Sequence, residues 1–514
     1  MSKMNQTSNR NVNSARNGIF GLLNKLILMV FPFVIRTIMI KTLGTEYLGL
    51  SSLFTSILNI LSLTELGFGS AMVFYLYKPI SENDNPTICA FLNLYRKIYY
   101  VIGIIILILG LISMAFLKNL ISGTYPSDIN IYIIFLIYLF STVSSYFFFG
   151  YRKALLKGYQ RSDVISNVSS IVHLVYYIVQ IIFLIIFRNY YLFIIWLPLS
   201  TIIENVLVYF RSRKLYKDIS CFGFIEKDIK SSIFKRTGAL FGHKLGAVLI
   251  GSFDNIVISA FLGLTTLAIF NNYYYVIIAL NGFIDILASA VLYSIGNFIV
   301  NKEKEDIYKL FLNLTFINIT LVSCSTCCLL SLYQDFMLIW VGTDNVIDSK
   351  YIIILFVLYF YTWKSRITGL NFKDAAGMWK NDAVKPYVGI IFDLILDIVL
   401  IQYLGIQGVL ISTIFVMLFI YFPWETKVLF EDLFVRSSKQ YYRKMITYSL
   451  STIFITSLVY YINSFIIVSN IGYLIIKGIF SFSLFIILWS LIYFRTSEFH
   501  YSINKFKQVF TKRS

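Results

Sequence analysis

The chain has 514 residues, of which 58% are apolar, 18% aromatic and only 14% charged. That is too apolar for an ordinary soluble domain, and a membrane protein is the expectation. At about 20 apolar residues per crossing, an apolar content of roughly 300 residues supplies about 14 or 15 helices and excludes a large cytosolic catalytic module. A net charge of +18 would point to nucleic acid in a soluble protein. In a hydrophobic chain Lys and Arg report topology first, so no nucleic-acid partner is expected. The N-terminal stretch is polar without a signal-peptide core and the C-terminal stretch is short and basic, so neither end is expected to be processed.

Taken in chain order, apolar runs bounded by polar clusters predict an all-α polytopic membrane protein with about fourteen transmembrane helices. They fall at 17–40, 47–77, 98–117, 129–149, 164–187, 190–210, 237–262, 267–299, 310–333, 351–370, 386–404, 405–426, 445–469 and 471–494. An even number of spans puts both termini on one side. That side carries 36 of the 44 Lys and Arg, against four on the other, Lys41, Lys118, Arg188 and Lys350. The positive-inside rule then makes both termini cytoplasmic, and anionic headgroups account for much of the remaining attraction. The predicted outer loops are short, the longest at 334–350, and offer no extracytoplasmic domain. The cysteines give no disulfide framework. The CSTCC stretch at 324–328 has no His or acidic neighbour and reads as small polarizable residues at helix contacts.

An internal repeat appears when Lys25 is laid on Lys244: the same offset puts Leu43 and Gly44 on Leu262 and Gly263, and Ser70 and Ala71 on Ser289 and Ala290. In each copy a span holding a lysine ends at an LG pair, and the next span carries an acid, Glu65 or Asp285, the two being one position out of register. Six spans per copy preserve orientation. The expected organisation is a parallel 6+6 bundle: a lobe at 1–215 (spans 1–6), a lobe at 235–430 (spans 7–12), spans 13–14 at 445–494, and a cytoplasmic tail at 495–514.

Charge within a span costs about 2.5 to 3.5 kcal/mol and needs a reason. Lys25 and Lys244, at equivalent lobe positions, could form a cationic site for phosphate or pyrophosphate. Arg36 joins them in span 1 and His243 adjoins Lys244, whereas Arg36, Lys41 and Lys477 are also near enough to the outer side to snorkel. Among the acids, Asp393 and Asp397 are spaced i, i+4 on one face of span 11, as a proton-sharing or Na+-coordinating pair would be. Asp254, Glu65 and Asp285 are the further ion-coupling candidates, with structural pairing to Lys or Arg as the alternative. Pro32, Pro198 and Pro423 fall inside spans and predict kinks.

The run LGTEYLGLSSLFTSILNILSLTELGFGSAMVFYLYKPI, followed by Tyr95, Arg96, Lys97, Ile98 and Tyr99, resembles the Wzx-type repeat-unit flippases of the multidrug, oligosaccharidyl-lipid and polysaccharide (MOP) exporter superfamily. So does FDNIVISAFLGLTTLAIFNNYYYVIIAL with its continuation SIGNFI. The resemblance implies a MATE-like fold. It also implies translocation of an undecaprenyl-pyrophosphate-linked oligosaccharide to the outer leaflet of the bacterial plasma membrane for capsule, O-antigen or exopolysaccharide synthesis. Alternating access, a cationic lumen matched by Lys25 and Lys244, H+ or Na+ antiport in some members, and other polysaccharide-assembly proteins as partners follow from the same resemblance. No cofactor, metal or catalytic residue is expected. The alternatives are a MATE-like multidrug/cation antiporter, which would favour an acidic, aromatic cavity, and a membrane-embedded glycan polymerase, for which the short outer loops leave no site.

Overall fold

The computed structural model describes residues 2–65, 68–378 and 381–511; the side chains of His243, Lys244, Ser289 and Ala290 lie outside the described residues. In hydrocarbon every backbone N–H and C=O must be paired within its own segment. Runs of Ile, Leu and Phe accordingly fold as helices, and no strand occurs among the described residues. The first half of the chain holds α1 (Ser2–Thr42), α2 (Thr45–Leu61), α3 (Phe68–Glu82), α4 (Asn85–Ser113), α5 (Ile131–Phe147), α6 (Arg152–Gly158), α7 (Ser162–Phe187), α8 (Tyr190–Ile194) and α9 (Trp196–Leu215). Then follow α10 (Lys227–Asn301), α11 (Lys304–Val341), α12 (Lys350–Ser365), α13 (Ile367–Ala375), α14 (Lys385–Leu404), α15 (Ile406–Phe415), α16 (Phe422–Val428), α17 (Lys439–Asn463), α18 (Ile471–Tyr493) and α19 (Ser497–Thr511). Side chains fix several starts: Asp84 accepts from Thr87 N at 3.1 Å ahead of α4, Asn130 from Tyr132 N at 3.0 Å ahead of α5, and Asn470 from Tyr473 N at 3.2 Å ahead of α18.

Among the described residues ten helices are long and apolar enough to cross a membrane, or eleven if α5 and α6, bent by 52°, are one broken span. Fourteen is not reached by that measure, because helices expected to be continuous are interrupted. The segment expected at 47–77 is divided into α2, a 3-10 turn at Ser62–Glu65, and α3; that at 351–370 into α12 and α13. The pair expected at 237–262 and 267–299 runs on as α10, broken at Gly263. Span 12 carries π-helical turns at Val416–Tyr421 and Leu429–Phe434 on either side of α16, around the expected kink at Pro423.

The repeat is legible in the backbone. Gly44, between α1 and α2, has φ 115° and ψ 169°, and Gly263, its equivalent at the offset that lays Lys25 on Lys244, has φ 85° and ψ 177°. Gly123 (φ 76°) and Gly342 (φ 80°) are a second such pair at the same spacing. Only glycine enters that region without a Cβ clash. The helices keep the spacing too: the start of α4 at Asn85 falls on that of α11 at Lys304, and the start of α5 at Ile131 on that of α12 at Lys350.

The chain forms two compact units, Met1–Ala268 and Ile269–Ser514. In the first, α1 lies along α7, with Phe31 stacked on Tyr177 at 5.4 Å. Phe54 meets Phe135 edge-on at 5.2 Å, and the part of α10 just before its break at Gly263 is tied in by Ser259 Oγ, which donates to the Leu120 carbonyl at 2.7 Å. In the second unit α11 is the axis of an aromatic core: Phe311 touches Phe434 at 4.9 Å and Tyr441 at 5.2 Å, and Phe316 touches Tyr493 at 5.5 Å. Each such pair adds about 0.5–1.5 kcal/mol beyond its area. Cys324 and Cys327 are buried in this core, as small helix-contact residues would be. The segments α17 and α18 share it, and Ser323 and Thr452 hydrogen-bond at 2.7 Å.

Candidate functional site

In the first unit, Glu65 stands at the end of the 3-10 turn between α2 and α3, at a break rather than in the middle of a continuous span. Tyr95 and Tyr99, one turn apart on α4, share a face. Tyr95 donates to Tyr99 at 3.0 Å, Tyr99 donates to Glu65 Oε1 at 2.5 Å, and Tyr146 of α5 donates to Glu65 Oε2 at 2.8 Å. The carboxylate is held from both sides by phenols. It opens on a cavity of about 630 Å3 whose wall includes Tyr95, Tyr99, Ser145, Lys153 and Asn205. Lys153 is bound at 2.6 Å to Glu204 of α9, which His173 of α7 meets from the other oxygen at 3.3 Å. A second cavity of about 440 Å3 shares Ser145 and is lined by hydroxyls and amides such as Ser51, Asn59, Tyr138, Gln180 and Thr201.

The second unit concentrates charge at the ends of α12–α16. Lys373 pairs with Asp382, Lys385 reaches Asp382 at 3.1 Å and Glu425 at 2.7 Å, and Arg366 lies 3.7 Å from Glu425. All five are buried, three cations on two carboxylates, and the Tyr421 ring lies 5.2 Å from Arg366 and 5.3 Å from Lys385. Burial alone would raise Asp382, but the Lys385 and Lys373 ammonium groups outweigh it and hold its carboxyl below the usual range. Burial and the Lys385 charge pull Lys373 down. Deeper in α14, Asp393 and Asp397 are both buried, with carboxylate oxygens within 4.8 Å of each other, and Ser412 of α15 donates to Asp397. An apolar groove of about 1080 Å3 runs along α11 and α18 past Leu321, Leu332 and Phe482 to Lys505 and Lys507 on α19.

Of the residues singled out from sequence, the structure brings together Asp393 and Asp397, as the i, i+4 spacing required. Lys25 is exposed on α1, Arg36 is partly buried, and Asp254 is buried on α10. His243 and Lys244 are outside the described residues, so the lysine pair has no geometry to report. Asp285 is engaged by Lys364 at 2.6 Å, and Glu65 by its tyrosines. One acid per repeat is thus tethered to the last turn of an equivalent helix, α5 or α12. Lys477 does not snorkel: it is 7% exposed and bonds the half-buried Asp335 of α11 at 2.8 Å, a carboxylate on a neighbouring helix that satisfies its charge. Lys364, Arg366, Lys373 and Lys385 read from sequence as loop charges, yet all are buried in pairs. One signal could have found part of this: Asp163 and Asp382, which the repeat offset superposes, are both buried acids ahead of or at the start of the fifth span of each copy.

Solved structures with this fold include a lipid II flippase, MurJ, in an inward closed conformation (15% identity, TM-score 0.69, covering 92% of this chain and 98% of that one). An inward-facing MATE multidrug resistance transporter of the MOP superfamily gives 12% identity, TM-score 0.62 and coverage of 80% and 97%. A MATE transporter of Vibrio cholerae gives 14%, 0.56, and 82% and 99%. At such identities the likeness establishes the architecture: a MATE- and MurJ-like membrane transporter fold. The profile of the family described as polysaccharide biosynthesis protein matches residues 14–293, and the chain belongs to that family, the Wzx-type flippases. Family and structural neighbours are transporters and flippases, not catalysts. No curated protein matches the sequence significantly.

Proposed function

We propose that the protein translocates undecaprenyl-pyrophosphate-linked oligosaccharide repeat units from the cytoplasmic to the outer leaflet of a bacterial plasma membrane, for capsule, O-antigen or exopolysaccharide synthesis. The observation that carries this reading is the family match over residues 14–293. Two features support the substrate class. The apolar groove of about 1080 Å3 ending at Lys505 and Lys507 suits a long hydrocarbon tail beside an anionic head, and the cavity at Glu65 suits a polar headgroup inside an apolar bundle. Lobes at 1–215 and 235–430, with 445–494 attached and both termini cytoplasmic, alternate access. Lys25 and Lys244, with Arg36 and His243, attract the pyrophosphate as point charges. Two carboxylates as close as Asp393 and Asp397 hold one proton or one monovalent cation between them, which makes that pair the coupling site, with Asp254 as a separate candidate in the first unit. Glu65 and Asp285 are already engaged and have the weaker claim to that role. No step makes or breaks a covalent bond.

The test is depletion of the protein in cells, with a membrane-impermeant probe of the sugar headgroup applied to intact spheroplasts. The expected result is an intermediate trapped on the inner leaflet, released by the wild-type gene and not by a Lys25→Ala, Lys244→Ala double variant. An intermediate that still reaches the outer face overturns the flippase reading. The second reading, a multidrug/cation antiporter, is favoured by the MATE likeness at TM-score 0.62. It predicts instead that depletion sensitises cells to cationic dyes and leaves the glycan intermediate untouched.

A further inference from the structure

We propose that the cavity at Glu65 is a carbohydrate subsite, taking a small saccharide from the lipid-linked substrate within the Met1–Ala268 unit; this rests on the flippase reading. A site for sugar needs acceptors and donors aimed at vicinal hydroxyls and flat apolar faces for the ring C–H groups. Each is present. Glu65 has two of about four acceptor positions filled by Tyr99 and Tyr146, which fix its plane and leave the other two for hydroxyls entering from the cavity. Asn205 is 2% exposed, lines the cavity, and its Oδ1 has no hydrogen-bond partner among the described residues. A buried amide oxygen left in that state is destabilising. A sugar hydroxyl, donor and acceptor at once, would satisfy it.

The aromatic component comes from α3. Phe74 and Tyr77, three residues apart and so on one helix face, both line the cavity, and each is 47% exposed. Exposed aromatic faces beside a carboxylate and an amide serve a polyol better than an ion, which would use none of that surface. The volume of about 630 Å3 lies among small-molecule sites of about 300–1,000 Å3 and far exceeds the space of a bare cation. The charges oppose one another, Glu65 against Lys157, with Lys153 taken by Glu204, which fits a neutral ring and not a phosphate.

The experiment uses the full chain in lipid nanodiscs and saturation-transfer NMR, with free glucose, galactose, rhamnose and N-acetylglucosamine as probes. At least one sugar is expected to receive transfer on its ring protons, falling at least fivefold in Tyr77→Ala and in Asn205→Ala. Tyr77 is exposed, so its variant folds even if the buried Asn205 variant does not. Transfer to none of the four sugars overturns the subsite, as does transfer that Tyr77→Ala leaves unchanged. The leaflet assay separates the two readings. Sugar transfer with translocation intact after depletion keeps the subsite and removes the flippase, whereas a trapped intermediate with no sugar transfer does the reverse.

Discussion

Glu425 is 4% exposed and answers two cations, Lys385 at 2.7 Å and Arg366 at 3.7 Å. Glu425→Gln removes that charge, leaving Asp382 to answer Lys373 and Lys385 and taking away the carboxylate beside Arg366. Breaking a buried pair from one side costs about 3–5 kcal/mol, so thermal unfolding in detergent is expected to fall sharply. Lys427→Ala, which loses only an exposed pair with Glu431 at 4.0 Å, is the control and is expected to leave the transition unmoved. Asp382 adds a pH dependence with a definite sign. Its carboxyl is held below the ordinary value, so its contribution is complete above the unfolded value of about 3.9 and is lost as pH falls from there through the folded value. Acid unfolding of Asp382→Asn is expected to lack that limb; an unchanged acid limb would remove Asp382 from the account. Little of this cluster was legible from sequence. Lys373 and Lys385 look like loop charges because burial is decided by α13 and α14 folding back on Glu425, and hydropathy has no term for a partner on a distant helix. Asp393 and Asp397 were legible because their pairing is a property of one helix.

At the scale of elements, the interruptions matter more than the helices. Gly44 and Gly263 hold the same extended, positive-φ conformation, yet their surroundings differ. A Cβ at Gly44 meets nothing within 4 Å, whereas one at Gly263 would lie 2.8 Å from the Ser122 carbonyl oxygen. Gly44→Ala is therefore expected to cost only the strain of that glycine-only region, about 1–3 kcal/mol, and Gly263→Ala more, since a backbone carbonyl must also move. Equal shifts in unfolding temperature for the two variants would contradict the close approach. The LG pairs marked both breaks in sequence because glycine carries the conformational signal itself. The break at Ser62–Glu65 did not show, since the run 47–77 is apolar on both sides of it and a hydropathy window averages across so short a turn. The 52° bend from α5 into α6 was missed for a different reason: α6 carries Arg152, Lys153 and Lys157 and so falls outside the apolar run expected at 129–149.

Over the whole chain, the repeat that superposes Gly44 on Gly263 is the feature that sequence and backbone share most fully. A few residue matches suggested it, and helix starts and turn glycines carry it through α12. The sequence read faintly because apolar residues interchange freely against lipid, while a turn that needs positive φ keeps its glycine. A parallel repeat has a consequence that an inverted one lacks: equivalent turns face the same side of the membrane. Thr124 and Thr343 follow Gly123 and Gly342, occupy equivalent positions in the two copies, and are both exposed. By the distribution of Lys and Arg that side is expected to be the outside. In a variant without the five native cysteines, Thr124→Cys and Thr343→Cys are both expected to react with an impermeant maleimide on intact cells. Arg213→Cys and Lys505→Cys are expected to react only after permeabilisation. Labelling of one threonine site from each side would make the repeat inverted and break the equivalence of the two lobes. Labelling of both only from within would keep the repeat and reverse the topology, moving the termini outside and the basic ends of the helices away from the anionic inner leaflet.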